Sequence, residues 1–217
     1  MTQFFRNRLH VVFLVTLLLL YLVILSLDFL SLPGHQWLDE LKFASILLCF
    51  LFAVALYWTS TNKRDSKFVV MGLFFTVIAD VNLVLMNEHV LGVFFFCLVQ
   101  LTYLKRLTSR YFRFSVIVAT IAMLSAFFIS SQTLYVLAGL YAFLILSVTT
   151  ATWASKLPQF NKQCASWGMI LFILCDLHVA LGNQLPVDYW YDALAHNMVW
   201  LFYLPSQTLL AMSGQHS

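Results

Sequence analysis

The chain has 217 residues, 62% of them hydrophobic and only 10% charged, with a formal net charge of +3 and a mean hydropathy of +0.87. A soluble domain needs a charged exterior, so this composition excludes one and requires a surface that faces lipid. The basic residues lie in short segments between apolar runs, where they read as topology signals and not as a nucleic-acid surface.

Apolar stretches of about 17–22 residues, enough at ~1.5 Å per residue to cross ~30 Å of hydrocarbon, predict eight helical spans. The first, residues 10–31, follows Arg6 and Arg8. Its apolar run is about twice that of a signal peptide and no small-residue cleavage site follows, so it reads as a retained helix. A turn at Pro33 and Gly34 leads to the second span, 41–58, and the polar segment from Ser60 to Ser66 leads to the third, 68–87. The fourth covers 89–107 and the fifth 114–131. Ser130 and Ser131 turn the chain into the sixth, 133–153; the seventh is 165–184, and Pro186 precedes the eighth, 190–211. Cys49, Cys97, Cys164 and Cys175 fall in or beside these runs without paired or metal-type spacing, and read as free packing residues.

The charges alternate from one connection to the next. Arg6 and Arg8 precede span one; Lys63, Arg64 and Lys67 follow span two; Lys105, Arg106, Arg110 and Arg113 follow span four; Lys156 and Lys162 follow span six. Eleven of the twelve basic residues thus share one side, while the other connections hold Asp39, Glu40, Glu88, Asp188 and Asp192. The basic side is expected to be cytoplasmic with both termini, in a multi-pass protein of the inner (cytoplasmic) membrane. Lys42 is the exception.

An offset of 96 residues lays the third span on the seventh, so that Gly72, Asp80, Leu85 and Asn87 meet Gly168, Asp176, Leu181 and Asn183. The same offset carries the other spans of the first half onto the second. The expected fold is therefore all-α: one integral membrane domain over 1–217, with eight transmembrane helices in two parallel four-helix repeats, about 10–107 and 114–211.

Asp80 and Asp176 sit deep in their spans, where an aspartate costs on the order of 2.5–3.5 kcal/mol and should face the bundle interior. Asn87 and Asn183, seven residues on, are expected on nearly the same face. Lys42 either snorkels to the interface or pairs with one aspartate. Such a pairing leaves two carboxylates in opposite protonation states, a workable general acid and base; the alternative is a buried pair that only fixes packing. Asp192 and His196 share a face of span eight and either join the site or cap the helix. His178 points away from Asp176 and reads as a helix–helix histidine, and Asp28 as interfacial. No nucleotide, haem, flavin or metal-ligand motif is present, so no cofactor and no metal is expected.

These residues resemble the YhhN-type lysoplasmalogenase family of eight-span membrane proteins over nearly the whole chain. The family pattern of a Gly–apolar–Asp helix, a Gly–Phe helix, a second Asp helix and a Tyr/Gln-containing last helix reads here as GLFFTVIADVNLVL, GVFFFCLVQLTY, GMILFILCDLHVAL and WLFYLPSQTLLA. Lys42, in LKFASILL, falls where the family usually opens span two with lysine. The family usually carries a histidine ahead of the tyrosine of span four, whereas Gln100 precedes Tyr103 here and can offer hydrogen bonds but no proton transfer. The resemblance implies hydrolysis of the vinyl-ether bond of a lysophospholipid within membrane lipid, with Asp80 and Asp176 as acid and base. Lys42, Asn87, Asn183, Gln100, Tyr103, His196, Tyr203 and Gln207 are then expected to bind substrate or tune the site. The competing readings are a proton-coupled transporter or lipid-binding protein using the same charges, and a zinc hydrolase using His178 and His196.

Overall fold

Long apolar runs without interior breaks favour helices that satisfy every backbone group internally, the only open-ended solution in hydrocarbon. The computed structural model describes residues 3–30, 36–128, 133–184 and 190–215. Within them lie α1 (Gln3–Phe29), α2 (Gln36–Thr59), α3 (Lys63–Asp80), α4 (His89–Leu107), α5 (Ser109–Phe128), α6 (Thr133–Ala154), α7 (Gln159–Gln184) and α8 (Trp190–Met212), with a π-helical segment Val81–Leu85 continuing α3. The expected turns at Pro33, Gly34, Ser130, Ser131 and Pro186 lie outside the described residues, as does Asp188.

Among the described residues six helical segments are long and apolar enough to cross a membrane, and α5 adds the shorter apolar stretch Phe112–Ala122. Val11, Leu18, Leu19 and Leu22 of α1, with Phe114, Ile117 and Ile121 of α5, point outward and exposed. Such surface would be costly in water and is matched by lipid. This is a multi-pass membrane protein.

Helices α3 and α4, and α7 and α8, form the most extensive pairs. The α8 helix also packs on α1, α2 and α3, and α4 packs on α5 and α6. Two glycines set the close approaches. A Cβ on Gly72 would lie 2.6 Å from the Tyr103 ring of α4, and one on Gly168 would lie 2.9 Å from Leu210 of α8. Small residues at such contacts let helices meet where lipid supplies no hydrophobic drive.

Pro205 interrupts α8. Its missing N–H would have served Leu201 four residues back, and the Tyr21 hydroxyl of α1 donates to the Leu201 carbonyl instead, at 3.0 Å. That substitution ties α1 to α8 at Leu201, two residues before Tyr203.

A buried polar cluster closes the end of the bundle where α3 begins and α8 ends. Arg106 donates to both oxygens of Asp65 at 2.8 and 2.6 Å, and to the Ser213 hydroxyl and carbonyl at 2.8 and 2.6 Å. Asn161 donates to the carbonyls of Ser213 and Gln215, and Ser66 to the Gly214 carbonyl. Arg106 thus holds the helix ends together, besides its expected part as a topology signal.

Candidate functional site

Each aspartate is the eighteenth residue of its helix, α3 ending on Asp80 and α7 running on to Gln184. The buried face of α3 repeats at Gly72, Thr76 and Asp80, one helical turn apart. Directly after Asp80 the chain widens into the π-helical segment. Such segments recur at functional sites because they reset side-chain phase. Asn82, buried within it, donates its amide to the Ile78 carbonyl at 2.7 Å.

Asp80 is only 3% exposed, and the Tyr203 hydroxyl of α8 lies 2.8 and 2.7 Å from its two oxygens. Asp176 is half-buried and accepts a 2.6 Å hydrogen bond from Tyr141 of α6. Two carboxyl–tyrosine pairs therefore enter the bundle from four helices. Phe172 stands between them, its ring centroid 5.8 Å from that of Tyr203 and 6.5 Å from that of Tyr141. Packing on the one Phe172 ring places the two tyrosine partners on either side of a shared aromatic contact.

Three further side chains named from the sequence are buried in the same bundle. Gln100 is fully buried beside the Tyr141 hydroxyl, and Gln207 is fully buried one turn beyond Tyr203. The Gln100 amide approaches the Tyr141 hydroxyl without making a hydrogen bond of good geometry, Gln207 has no partner for either amide atom, and the hydroxyl of buried Tyr103 has none either. Buried polar atoms are nearly always paired in a folded protein, so an orphaned set in one interior marks a surface built for a polar ligand or water.

The structure corrects two expectations. Lys42 does not pair with Asp80 or Asp176: its ammonium lies 2.8 Å from Asp28 of α1 and over the Trp200 ring at 5.4 Å. Lys42 is near the start of α2 and Asp28 near the end of α1, so the two meet across one short connection. Trp200 in turn meets Tyr203 edge-on at 5.4 Å, which leaves Lys42 bordering the site through an aromatic pair. Asn87 does not share the face of Asp80. The helix ends before it, and Asn87 is exposed with φ 56°, the left-handed conformation in which asparagine terminates helices. The side chains of Asn183, Asp192 and His196 lie outside the described residues. His178 sits as expected between helices, its ring 5.3 Å from Phe202 and its Nδ1 2.7 Å from the Leu174 carbonyl. The four cysteines are buried and free.

Sequence reasoning missed Tyr141. It lies on the α6 face of Leu137, Leu144 and Val148, all buried, and that phase was the available signal. Among nine tyrosines in a chain with 21 phenylalanines, nothing else distinguished it.

The model of the YhhN family matches residues 39–214, a stretch that holds both aspartates and both of their tyrosine partners. No curated protein and no solved structure matches the chain.

Proposed function

The chain belongs to the YhhN family, and on that premise we propose that it is a membrane hydrolase that cleaves the vinyl-ether bond of lysoplasmalogens, releasing a fatty aldehyde and a glycerophospho-head group. The observation that carries the reading is the pair of interior aspartates, each held by a tyrosine hydroxyl, with both tyrosines packed on Phe172.

Vinyl ethers hydrolyse through protonation of the outer vinyl carbon. The resulting oxocarbenium ion is captured by water, and the hemiacetal collapses to aldehyde and alcohol. The reaction needs one carboxyl that gives a proton and one carboxylate that faces the cation and takes a proton from the water. The geometry supports Asp80 as the acid. A tyrosine hydroxyl has a single hydrogen, yet Tyr203 lies within hydrogen-bond distance of both Asp80 oxygens. That hydrogen is shared between the two oxygens, and a charge on a carboxyl so deeply buried is costly, which suits the residue that holds a proton to give. Asp176, half-buried with one tyrosine partner, has the access that water activation requires. The unpaired amides of Gln100 and Gln207 and the Tyr103 hydroxyl offer polar contacts to the water or the glycerol backbone.

This reading takes all eight helices as spans, in two four-helix halves with the basic connections and both termini cytoplasmic. The 96-residue offset supports it by carrying α2 onto α6 and the start of α3 onto that of α7. Packing supports it too: the contacts of α8 with α1 and α2 correspond to those of α4 with α5 and α6.

The test is incubation of the purified chain with a lysoplasmalogen and with an ordinary ester lysophospholipid, measuring aldehyde and fatty acid together. Aldehyde from the first and no fatty acid from the second is expected. Uptake of the lipid into proteoliposomes without aldehyde would replace hydrolysis with transport.

A further inference from the structure

Where α1 meets α2, a cleft of about 240 Å³ opens between α1, α2, α7 and α8, lined among others by Asp28, Lys42, His178, Asn197 and Trp200. Its volume corresponds to several waters and suits a small polar group rather than a whole lipid. Two fixed charges face it. The Lys42 ammonium and Asp28 carboxylate have side chains only 13% and 7% exposed, and Nζ lies 2.8 Å from Oδ1. The second oxygen, Asp28 Oδ2, is buried without any partner. A lysine paired through one contact still has hydrogens to donate, and a carboxylate with one unpaired oxygen can still accept.

We propose that this cleft binds the zwitterionic head group of a lysophospholipid, with Lys42 taking the phosphate and Asp28, together with the Trp200 face, taking the terminal ammonium. The assignment rests on the hydrolase reading for its place in catalysis. A site carrying one cation and one anion complements a ligand carrying the opposite pair. An anionic head group without an amine draws Lys42 from Asp28 and brings no cation in exchange, and that mismatch discriminates against it. The carboxylate torsion is soft, so Oδ2 turns into the cleft without moving the helix. Trp200 already carries the Lys42 ammonium at 5.4 Å, which shows that its ring face accepts a cation.

The cleft also stands in the right place. Trp200 touches Tyr203, the partner of Asp80, so the cleft borders that carboxyl–tyrosine pair. A head group held there has its glycerol on the Tyr203 side, toward Asp80. Asp28 lies ahead of the family match at residues 39–214, so its part in the site is not carried by that match.

The experiment is displacement of fluorescent lysophosphatidylethanolamine from the full chain in maltoside micelles. Unlabelled lysophosphatidylethanolamine and lysophosphatidic acid, neither of which has a vinyl ether, serve as competitors. The wild-type chain is expected to prefer the ethanolamine lipid several-fold. Asp28→Asn should lose about tenfold in affinity for it and nothing for lysophosphatidic acid, while Lys42→Gln weakens both. Equal affinity of the wild-type chain for the two lipids, or a parallel loss of both in Asp28→Asn, overturns the proposal. Should Asp28→Asn fail to fold, the wild-type comparison decides alone. Head-group preference in a chain that releases no aldehyde would support the cleft and refute only the hydrolase reading.

Discussion

Tyr203 and Tyr141 hold the two aspartates in unequal surroundings, and replacing each by phenylalanine should expose that inequality. The rings and their packing on Phe172 are kept, so only the hydroxyl is lost. Among the described residues Tyr203 is the one hydrogen-bond partner of Asp80, which is 3% exposed. Removing it leaves a buried carboxyl unsatisfied, at about 1–3 kcal/mol. If the hydroxyl supports the transition state more than the ground state by that amount, the rate falls ~5–150-fold, since each ~1.4 kcal/mol is a factor of ten. Asp176 is less enclosed as a residue, and Tyr141 bonds only one of its oxygens. The net loss there is about 0.5–1.5 kcal/mol, or ~3–10-fold. Aldehyde release under saturating lysoplasmalogen measures both variants, with thermal unfolding in detergent as the control. Tyr141→Phe losing more activity than Tyr203→Phe, or Tyr203→Phe staying within about twofold of wild type, would refute this reasoning.

Arg106→Met should cost about 3–5 kcal/mol in detergent unfolding, because it strands buried Asp65; Asp65→Leu added to it should recover part of the loss. Gly72→Ala should cost about 1–3 kcal/mol, because the new methyl meets the Tyr103 ring at 2.6 Å; Tyr103→Leu should relieve it, read by the same unfolding assay. Asn87→Val should cost about 1–2 kcal/mol and Asn87→Gly almost nothing, with neither changing aldehyde release, since the side chain is exposed and its φ of 56° is what matters.

The helices were legible because span length and apolar content are strong, redundant signals, but five of them begin five to seven residues before the expected span, where polar residues carry the helix on outside the apolar run. The aspartates were legible for the complementary reason: a carboxyl in an apolar run has few places to go. The partners were not. Lys42 and Asp28 were each visible, but one short connection between α1 and α2 decides that they meet, and periodicity carries no information about it. Asn87 was misplaced because the phase argument assumed a continuous α-helix past Asp80, whereas the chain turns π-helical there and then ends. Tyr141 was hidden among many aromatic residues, and only the crossing of α6 over α7 selects it. Arg106 carries two meanings, and a count of charges by connection registers only the topological one.

The most direct measurement is aldehyde release by Asp80→Asn and Asp176→Asn in purified chains that unfold at the wild-type temperature. Asparagine keeps the shape of each side chain but can neither give a proton from a carboxyl nor take one from water. Loss of aldehyde release in both variants, with the protein still folded, is the expected result. Near-normal turnover in either one would contradict the account.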